Sequence, residues 1–435
     1  GGGTRRRVPE IFDVWYDSGV ASWATLRFPQ QTEAFAKDWP AEFILEGHDQ
    51  TRGWFYSQLA LSTIAFGKAP YKSVLMHGFA LDANGKKMSK SLGNVIAPED
   101  VISKFGVDVL RQYILSASAP WDDLRFSIEG VKTTHRMFNV LWNVYKFPLP
   151  YMQLDGYTPA VSNEGVWDPS VVEDHIAEFG REDRWLVSRV NTLATQVTKE
   201  MEVCNLHRAT RPIATFALEE LSRWYVQLVR PRMWLEEESV SKKQAYDTMY
   251  YVLRRLMTIL APFAPHITEE MYQNLCMPGE PESVHMLDWF CGSADLIDSV
   301  LEEEMTIVQE FDESVANARQ NGKRKGRWPV GEIVVATSSD AVLNAITVMN
   351  DMCCDRANAK SVRAVQGIWD RVEWTALPVM NVIWKQFGRD GPKVKAFIEG
   401  SDGSVLQAAL TRDGKVAMEM DGFSAELTAD HMMFE

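Results

Sequence analysis

Short apolar runs alternate with amphipathic stretches in the first part of the chain. Residues 43–46 and 73–76 are mainly apolar runs of strand length, which is typical of buried parallel strands. Residues 51–65 lie between them and are long enough for a crossover helix, so the pattern predicts a right-handed βαβ unit. A loop over 82–93 precedes Pro98, which is followed by two acids, as is typical of a helix start. The sequence therefore predicts an α/β layer here.

From about residue 130 the apolar positions recur at helical spacing instead. The clearest case is 184–204, where one stripe contains Leu186, Val190, Leu193, Val197 and Met201. Residues 213–234 and 242–260 follow the same period without β-alternation. Prolines punctuate these segments at Pro212, Pro231, Pro262 and Pro265. This pattern predicts an all-α helical bundle over 130–301.

Past residue 302 the pattern changes again. A helix to about residue 321 is followed by a basic turn, and then a strand, a helix and a strand are predicted at 332–336, 341–352 and 361–365. Residues 393–435 indicate only loose strands, with turns at Asp402-Gly403, Asp413-Gly414 and Asp421-Gly422. We therefore expect a multidomain protein with an α/β domain over 1–129, the bundle, and a small α+β domain over 302–435.

Composition excludes several classes of protein. A chain of 435 residues with 46% hydrophobic and 24% charged residues is too long for one small module and too apolar for a disordered protein. Its apolar runs are shorter than the roughly 20 residues of a membrane span. The five cysteines form no C-x-x-C pair, which indicates neither a disulfide framework nor a zinc site and favours a reducing cytoplasm. The net charge of −14 is weak evidence against a nucleic-acid partner, because binding depends on local patches.

The loop after the second predicted strand contains two lysines separated by a methionine and a serine. Ammonium groups at this spacing, flanked by hydroxyls, can close over a triphosphate and stabilise the charge of a leaving pyrophosphate. Lysine suits this role because it is a compact charge on a flexible stem. On composition alone, a solvated turn explains the segment equally well. The residues concerned are Lys87, Met88, Ser89, Lys90 and Ser91.

A second polar block follows the first predicted strand and opens the predicted helix. Ligands of open α/β sheets bind at the carboxyl ends of the strands, so we expect Glu46, Asp49 and Gln50 to meet one. A carboxylate at a helix start is also a common cap, and Asp49 is open to that simpler interpretation.

Two tryptophans lie beside these polar residues in the sequence. Trp15 belongs to the string DVWYDSG at 13–19, and Trp54 follows the polar block. Flat indoles on each side of a slot suit a branched aliphatic side chain, because they supply apolar area without a polar group that needs a partner. The simpler interpretation is that these two of the 15 tryptophans belong to the core.

Three of these strings together resemble the motifs of one family. Residues 87–91, KMSKS, resemble the signature of class I aminoacyl-tRNA synthetases, in which the second lysine is the main pyrophosphate contact. Residues 46–55, EGHDQTRGWF, and 13–19 resemble blocks of isoleucyl-tRNA synthetase, with Tyr16 where phenylalanine is more usual. The resemblance implies that Lys87 and Lys90 are catalytic. It also implies an ATP and adenylate site made by Glu46, Gly47, Asp49, Gln50, Met88, Ser89 and Ser91, and an isoleucine pocket between Trp15 and Trp54.

The resemblance covers nearly the whole chain, and is least diagnostic over 331–421. Strings similar to the archaeal and eukaryotic branch of the family lie at 121–126, 218–234, 261–266, 318–329 and 427–431. The His-x-Gly-His element of the first half of the nucleotide-binding fold is missing from this sequence, and so is the inserted editing domain. We therefore expect the C-terminal portion of such an enzyme, with the second half of a Rossmann-type fold and a stem-contact region over 1–129, and no activity on its own.

Contact with tRNA is expected in the last two domains. By resemblance the bundle is an anticodon-binding domain, and the arginines 223, 230, 232, 254 and 255 either line a basic face or pair with acids within the bundle. The densest basic segment combines phosphate-pairing charges with an aromatic residue, although a solvated turn is the simpler interpretation. Its cations are Lys323, Arg324, Lys325 and Arg327.

Together these features predict part of an isoleucyl-tRNA synthetase, an aminoacyl-tRNA ligase of the cytoplasm. The resemblance implies ATP as substrate with Mg²⁺, isoleucine and tRNA(Ile) as the other partners, no membrane, and a monomer. Zinc is possible elsewhere in such an enzyme, but no site is visible in this chain. The alternative from another class is a free-standing tRNA-binding protein that derives from the synthetase and lacks catalysis.

Overall fold

The computed structural model describes residues 3–4, 6–7, 9, 13–367, 369, 374–420 and 422–434. The chain forms two compact units, Gly1–Glu302 and Glu303–Glu435. The first contains a parallel strand pair followed by a large set of helices, and the second mixes strands with shorter helices.

The parallel pair consists of β1 (Ala41–Gly47) and β2 (Tyr71–His77), in register from Ala41 opposite Tyr71 to Gly47 opposite His77. The predicted strands and the helix that joins them are thus confirmed, but the predicted burial of the strands is wrong, because only Ile44 and Gly47 of the two strands are buried. The joining helix begins later than predicted, at Trp54, because residues His48–Arg52 first form a 3-10 turn. A second short parallel pair joins β3 (Ala80–Leu81) to β4 (Leu124–Arg125).

Helices account for most of the rest of the first unit. In chain order they are α1 (Val14–Gly19), α2 (Ala21–Ala24), α3 (Thr32–Asp38), α4 (Trp54–Phe66), α5 (Pro98–Phe105), α6 (Val107–Ala117), α7 (Ile128–Lys146), α8 (Leu149–Leu154), α9 (Ser170–Glu173), α10 (Arg181–Glu202), α11 (Leu206–Thr215), α12 (Val226–Trp234), α13 (Val240–Leu260) and α14 (Pro265–Leu275). The predicted helix start at Pro98 is confirmed, with proline in the first turn of α5.

The bundle core lies between α10, α13 and their neighbours. Four members of the predicted stripe on α10 are buried, namely Leu186, Val190, Leu193 and Val197, whereas Met201 is half-buried. The largest fully buried side chains include Tyr225, Tyr251 and Tyr272. Each of these tyrosines donates its hydroxyl to a protein oxygen, on Asp183, Glu173 and Pro281 respectively, as buried polar groups require.

Two of the four prolines lie inside helices: Pro212 was predicted to precede the helical segment 213–234, whereas Pro231 lay within that predicted segment. Pro212 lies inside α11 and Pro231 inside α12, and a π-helix over Phe216–Tyr225 joins these helices without a break. A proline inside a helix removes one backbone hydrogen bond. The full burial of Ile213 and Val229 beside these prolines outweighs that loss. The other two prolines do mark a boundary, since α13 ends at Leu260 and α14 begins at Pro265.

The second unit has its own strands and helices. Helix α15 (Ser299–Asn321) leads into it. Its strands are β5 (Ile333–Thr337), β6 (Val362–Gln366), β7 (Ala376–Pro378), β8 (Val416–Met420), β9 (Phe423–Leu427) and β10 (Met432–Phe434), and its further helices are α16 (Asp340–Val348), α17 (Asn350–Ala357), α18 (Met380–Phe387), α19 (Gly391–Gly400) and α20 (Gly403–Asp413). The pair β5–β6 is parallel, whereas β8–β9 and β7–β10 are antiparallel.

Two expectations for this unit were wrong. The predicted helix 341–352 is two helices, because the chain breaks at Met349 between α16 and α17. Residues 393–413 form helices rather than loose strands: Asp402 caps the start of α20 by accepting from the Ser404 amide at 2.8 Å, and Gly414 ends it with a left-handed φ of 71°. Asp-Gly pairs are typical of both turns and helix caps, so the pattern did not separate the two. Asp421 lies outside the described residues.

Searches for membrane and metal features can be reported for the described ranges only. Among those residues no helix combines the length and the apolarity of a membrane span. The same residues contain no group of three or more His, Cys, Asp or Glu side chains that could hold a metal ion.

Candidate active site at the ends of two parallel strands

The carboxyl end of β1 contains the first block of candidate residues. Glu46 is exposed and Gly47 is buried at the last position of the strand. A Cβ at Gly47 would lie 2.6 Å from Asp49 Oδ1, so only glycine lets the Asp49 carboxylate take this position. Asp49 itself is exposed in the 3-10 turn. The strand end thus presents two carboxylates to solvent.

Gln50 has a structural role that the sequence did not indicate. Its Oε1 accepts from the Trp54 amide at 2.9 Å, at the start of α4, and its Nε2 donates to Asp49 Oδ2 at 3.2 Å. The side chain that caps α4 is therefore Gln50 and not Asp49, which removes the simpler interpretation of Asp49. Because Gln50 also holds Asp49, it orients one candidate ligand group.

The structure brings the two candidate tryptophans together. Trp54 Nε1 donates to the Ser18 carbonyl on α1 at 2.9 Å, and α1 also contains Trp15. A Cβ at Gly53 would lie 3.3 Å from Trp15 Cη2. Trp15 is 44% exposed, which does not fit the interpretation that it is a core residue. Trp15 therefore lies beside the start of α4, the helix that begins with Trp54.

Residues 82–94, here called the lysine loop, approach the end of β1 by way of the Phe79 ring. Lys87 Nζ is 5.3 Å from the centre of the Phe79 ring, within the range of a cation–π contact. The Phe79 ring in turn packs edge-on against His48, with their centres 4.6 Å apart. His48 begins the 3-10 turn that contains Asp49. Two blocks that are distant in sequence therefore meet at one site, and Phe79 is a residue that the sequence analysis missed.

The remaining loop residues form a short capped turn. Lys90 begins a 3-10 turn, Lys90–Leu92, whose N-cap is Ser89. Ser89 Oγ accepts from the Leu92 amide at 3.3 Å and lies 3.1 Å from Ser91 Oγ. Both lysines of the motif are exposed, and Met88 is half-buried. The ammonium groups are thus free to meet an anion while their backbone is held.

The basic segment of the second unit is an exposed turn with an internal support. Lys323, Arg324, Lys325 and Arg327 are all exposed, directly after α15. The Arg319 guanidinium donates to the carbonyls of Trp328 and Lys325 at 2.9 and 3.3 Å. It also donates to the Ala357 carbonyl at 2.6 Å. Arg319 therefore shapes the turn, whereas the four cations face solvent.

Most arginines of the bundle are paired with acids. Arg223 pairs with Glu219, as the sequence allowed, but Arg232 pairs with Glu182 and Asp183. Arg254 and Arg255 pair with Glu280 and Glu173, which the sequence did not indicate. Arg230 instead contacts the Phe147 and Trp234 rings at 5.6 and 5.7 Å. These pairs leave little basic surface on the helices concerned.

Comparison with known proteins gives family matches for two segments of the chain. Residues 1–127 match the family of tRNA synthetases class I (I, L, M and V), and residues 183–335 match the anticodon-binding domain of tRNA ligase. The isoleucine–tRNA ligase of Methanocorpusculum labreanum is 79% identical over 434 residues, and that of Methanoculleus marisnigri is 60% identical over 433 residues. Both alignments include 100% of this chain, which spans 41% and 40% of the two relatives.

Two solved structures share the fold at low sequence identity. A leucyl-tRNA synthetase of Agrobacterium radiobacter in complex with tRNA gives a TM-score of 0.52 at 20% identity, covering 68% of this chain and 35% of that one. The methionyl-tRNA synthetase of Mycobacterium tuberculosis bound by methionyl-adenylate gives 0.50 at 21% identity, covering 64% and 57%. Residues 1–127 thus match the class I tRNA synthetases, and the whole length of the chain is similar to part of the isoleucine–tRNA ligases.

Proposed function

We propose that this chain is the part of an isoleucine–tRNA ligase that binds the ATP phosphates and the tRNA. The observation that carries the proposal is the contact of Lys87 with Phe79 and of Phe79 with His48, because it joins the lysine loop to the carboxylates at the end of β1. Ligands of parallel α/β sheets bind at this end of the strands.

In the proposed reaction, a carboxylate oxygen of isoleucine attacks the α-phosphorus of ATP, and the bond to the bridging oxygen of pyrophosphate breaks. Lys87 and Lys90 stabilise the negative charge that develops on the leaving pyrophosphate. Glu46, Asp49 and Gln50 bind the adenylate at the carboxyl end of β1, beside Gly47. A ribose hydroxyl of tRNA then attacks the isoleucyl carbonyl and AMP leaves.

The other residues of the site have binding roles in this proposal. Trp15 and Trp54 supply the apolar walls for the isoleucine side chain. Met88, Ser89 and Ser91 contribute to the ATP site, and the Mg²⁺ of the reaction enters with ATP. The proposed layout is a catalytic half-domain over 1–129, an anticodon-binding bundle over 130–301 and a tRNA-contacting domain over 302–435.

A free-standing tRNA-binding protein is the second candidate, favoured by the missing His-x-Gly-His element. Exposed apolar residues on both faces of the strand pair argue against it: Phe43 and Leu45 lie on one face and Met76 on the other, and all three are 41–48% exposed. Parallel strands are normally covered on both faces, and a face of this kind is an aggregation risk for a protein on its own. We therefore propose that another segment of a longer ligase covers it.

The test is isoleucine-dependent pyrophosphate exchange in the complete ligase. Lys90→Ala should lower kcat by about 10²–10³-fold and leave KM for isoleucine nearly unchanged, because its charge is needed as pyrophosphate leaves. Lys86→Ala, at an exposed lysine of the same loop, is the matched control and should keep most of the rate. A raised KM for ATP at unchanged kcat would reassign Lys90 to ground-state binding. The isolated chain should show only background exchange.

A further inference from the structure

The lysine loop is tied together by two side chains that have no role in the proposed chemistry. Asp82 uses both carboxylate oxygens as acceptors: Oδ1 accepts from the amides of Asn84 and Lys86 at 2.9 and 2.8 Å, and Oδ2 accepts from Asn94 Nδ2 at 2.9 Å. Asp82 lies at the start of the loop and Asn94 at its end. One hydrogen bond thus closes the whole segment 82–94.

Asn94 carries this restraint to the lysine motif itself. Its Oδ1 accepts from the Ser89 amide at 2.9 Å, and its Nδ2 also donates to the Lys87 carbonyl at 3.3 Å. The two bonds fix the backbone on both sides of Met88. Ser89 is the N-cap of the turn that begins with Lys90. The backbone from which both lysine side chains extend is therefore held by one asparagine.

We propose that Asp82 and Asn94 are positioning residues that set where Lys87 and Lys90 meet the pyrophosphate. The proposal rests on the function proposed above. Lysine side chains are long and flexible, so the position of their backbone decides how closely the ammonium groups follow the phosphates. A displacement of about 1 Å in such a group can lower a rate about 10²-fold.

The electrostatics of Asp82 agree with this role. Its hydrogen bond from Asn94 and then that from the Lys86 amide lower the pKa of the Asp82 carboxyl below its ordinary value. The carboxylate is therefore charged at neutral pH and can only accept hydrogen bonds. Only the charged carboxylate accepts all three hydrogen bonds, from the amides of Asn84 and Lys86 and from Asn94 Nδ2.

The test exchanges the two side chains. In Asp82→Asn the NH₂ of the new side chain must point either at the Asn94 NH₂ or at the backbone amides of Asn84 and Lys86. In either orientation a donor meets a donor and a hydrogen bond is lost. In Asn94→Asp a carboxylate replaces the NH₂ that bonds Asp82 and the Lys87 carbonyl. The double variant D82N/N94D restores a donor–acceptor pair at the closing bond, and it keeps the acceptor for the Ser89 amide.

The readout is isoleucine-dependent pyrophosphate exchange in the complete ligase, with thermal unfolding measured alongside. Each single variant should lower kcat by about 10- to 10²-fold with KM for isoleucine little changed. The double variant restores the bond between residues 82 and 94 but not the bond to the Lys87 carbonyl, so it should recover part of that loss. Asn84→Ala, at an exposed residue of the same turn, is the control and should keep nearly full activity.

The outcomes separate this inference from the proposed function. If Lys90→Ala lowers kcat but the Asp82 and Asn94 variants do not, the restraint is only a structural turn and the inference is wrong. If Lys90→Ala has no effect, the proposed function itself fails. If both single variants lose activity and the double variant recovers none of it, the paired bond is not the cause and the inference is overturned as well.

Discussion

Removal of the Glu280 carboxylate should destabilise the helical bundle strongly. Glu280 pairs with Arg254 on α13, and the side chains are only 7% and 3% exposed. Arg254 also donates to the Leu275 carbonyl at 3.3 Å and lies 5.0 and 5.2 Å from the Trp167 and Tyr272 rings. Burial alone would lower the pKa of Arg254, but the hydrogen bond that Arg254 donates to Glu280, together with the nearby negative charge, outweighs it, so the pKa is raised. Glu280→Ala leaves this guanidinium buried and without its counter-charge.

The size of the effect follows from that burial. Breaking a buried ion pair by removing one partner costs about 3–5 kcal/mol. Since 1 kcal/mol moves Tm by about 2–4 °C in domains of about 150–250 residues, a fall of about 6–20 °C is expected. Thermal unfolding followed by circular dichroism, with urea unfolding as a second measure, is the assay.

The chain supplies a matched control in the same bundle. Arg223 and Glu219 form an exposed pair one helical turn apart, with side chains 71% and 48% exposed. Glu219→Ala should cost only about 0.3–0.5 kcal/mol, because solvent screens this pair. The double variant R254M/E280L should be more stable than Glu280→Ala, since it leaves no charge buried. An equal loss of stability for Glu280→Ala and Glu219→Ala would refute the reasoning.

Three further results are expected. Neutralising Lys323, Arg324 and Lys325 together should flatten the slope of log tRNA affinity against log salt by up to about 2–3 units, at roughly 0.7–0.9 per lost phosphate contact. The binding of all tRNAs should weaken alike, because phosphate contacts carry no sequence information. An unchanged slope with loss of cognate tRNA alone would mean that these residues read bases. In an NMR titration the Asp82 carboxyl should have a pKa below the ordinary value of 3.8. Its hydrogen bonds should therefore persist above the lowered pKa and be lost as pH falls through it. Asn94→Ala should move this pKa back toward 3.8. Trp54→Phe removes the bond to the Ser18 carbonyl and should raise KM for isoleucine in the complete ligase more than it lowers kcat, whereas an unchanged KM would place Trp54 outside the pocket.

The fold was predictable where one physical signal dominated. The period of α10 reflects burial of one face, and the apolar runs of β1 and β2 mark strands of a parallel pair, although most residues of these two strands are exposed in this chain. Pro212 inside α11 was misjudged, because a proline is a local signal against a helix interior and the packing around this helix is not local information. Likewise, whether Asp402-Gly403 is a hairpin turn or a helix cap depends on what the next residues pack against, and that is not local information.

The candidate site shows the same division. The residues with chemical roles could be proposed from motifs, because lysines and carboxylates are few and their spacing is distinctive. Phe79, Asp82 and Asn94 could not, and neither could the bond of Gln50 to the Trp54 amide, because these side chains act on other protein groups and only their distances reveal it. Two signals were available: Asn94 lies three residues after the motif, and Asp82 begins a turn closed by Gly85, whose φ is 77°.

The lysine loop and the strand pair β1–β2 differ in what holds them in place. The side-chain hydrogen bonds of Asp82 and Asn94 join residues within 82–94, so this part of the loop's order comes from one short segment of the chain. The faces of β1 and β2 are the opposite case, since their exposed apolar residues need a cover from elsewhere. We therefore expect the isolated chain to hold its lysines in a preformed arrangement while it lacks the opposite wall of the site. Inactivity of the isolated chain would then reflect missing groups rather than a disordered loop, and the lysine loop should keep its hydrogen bonds when the complete ligase is assembled.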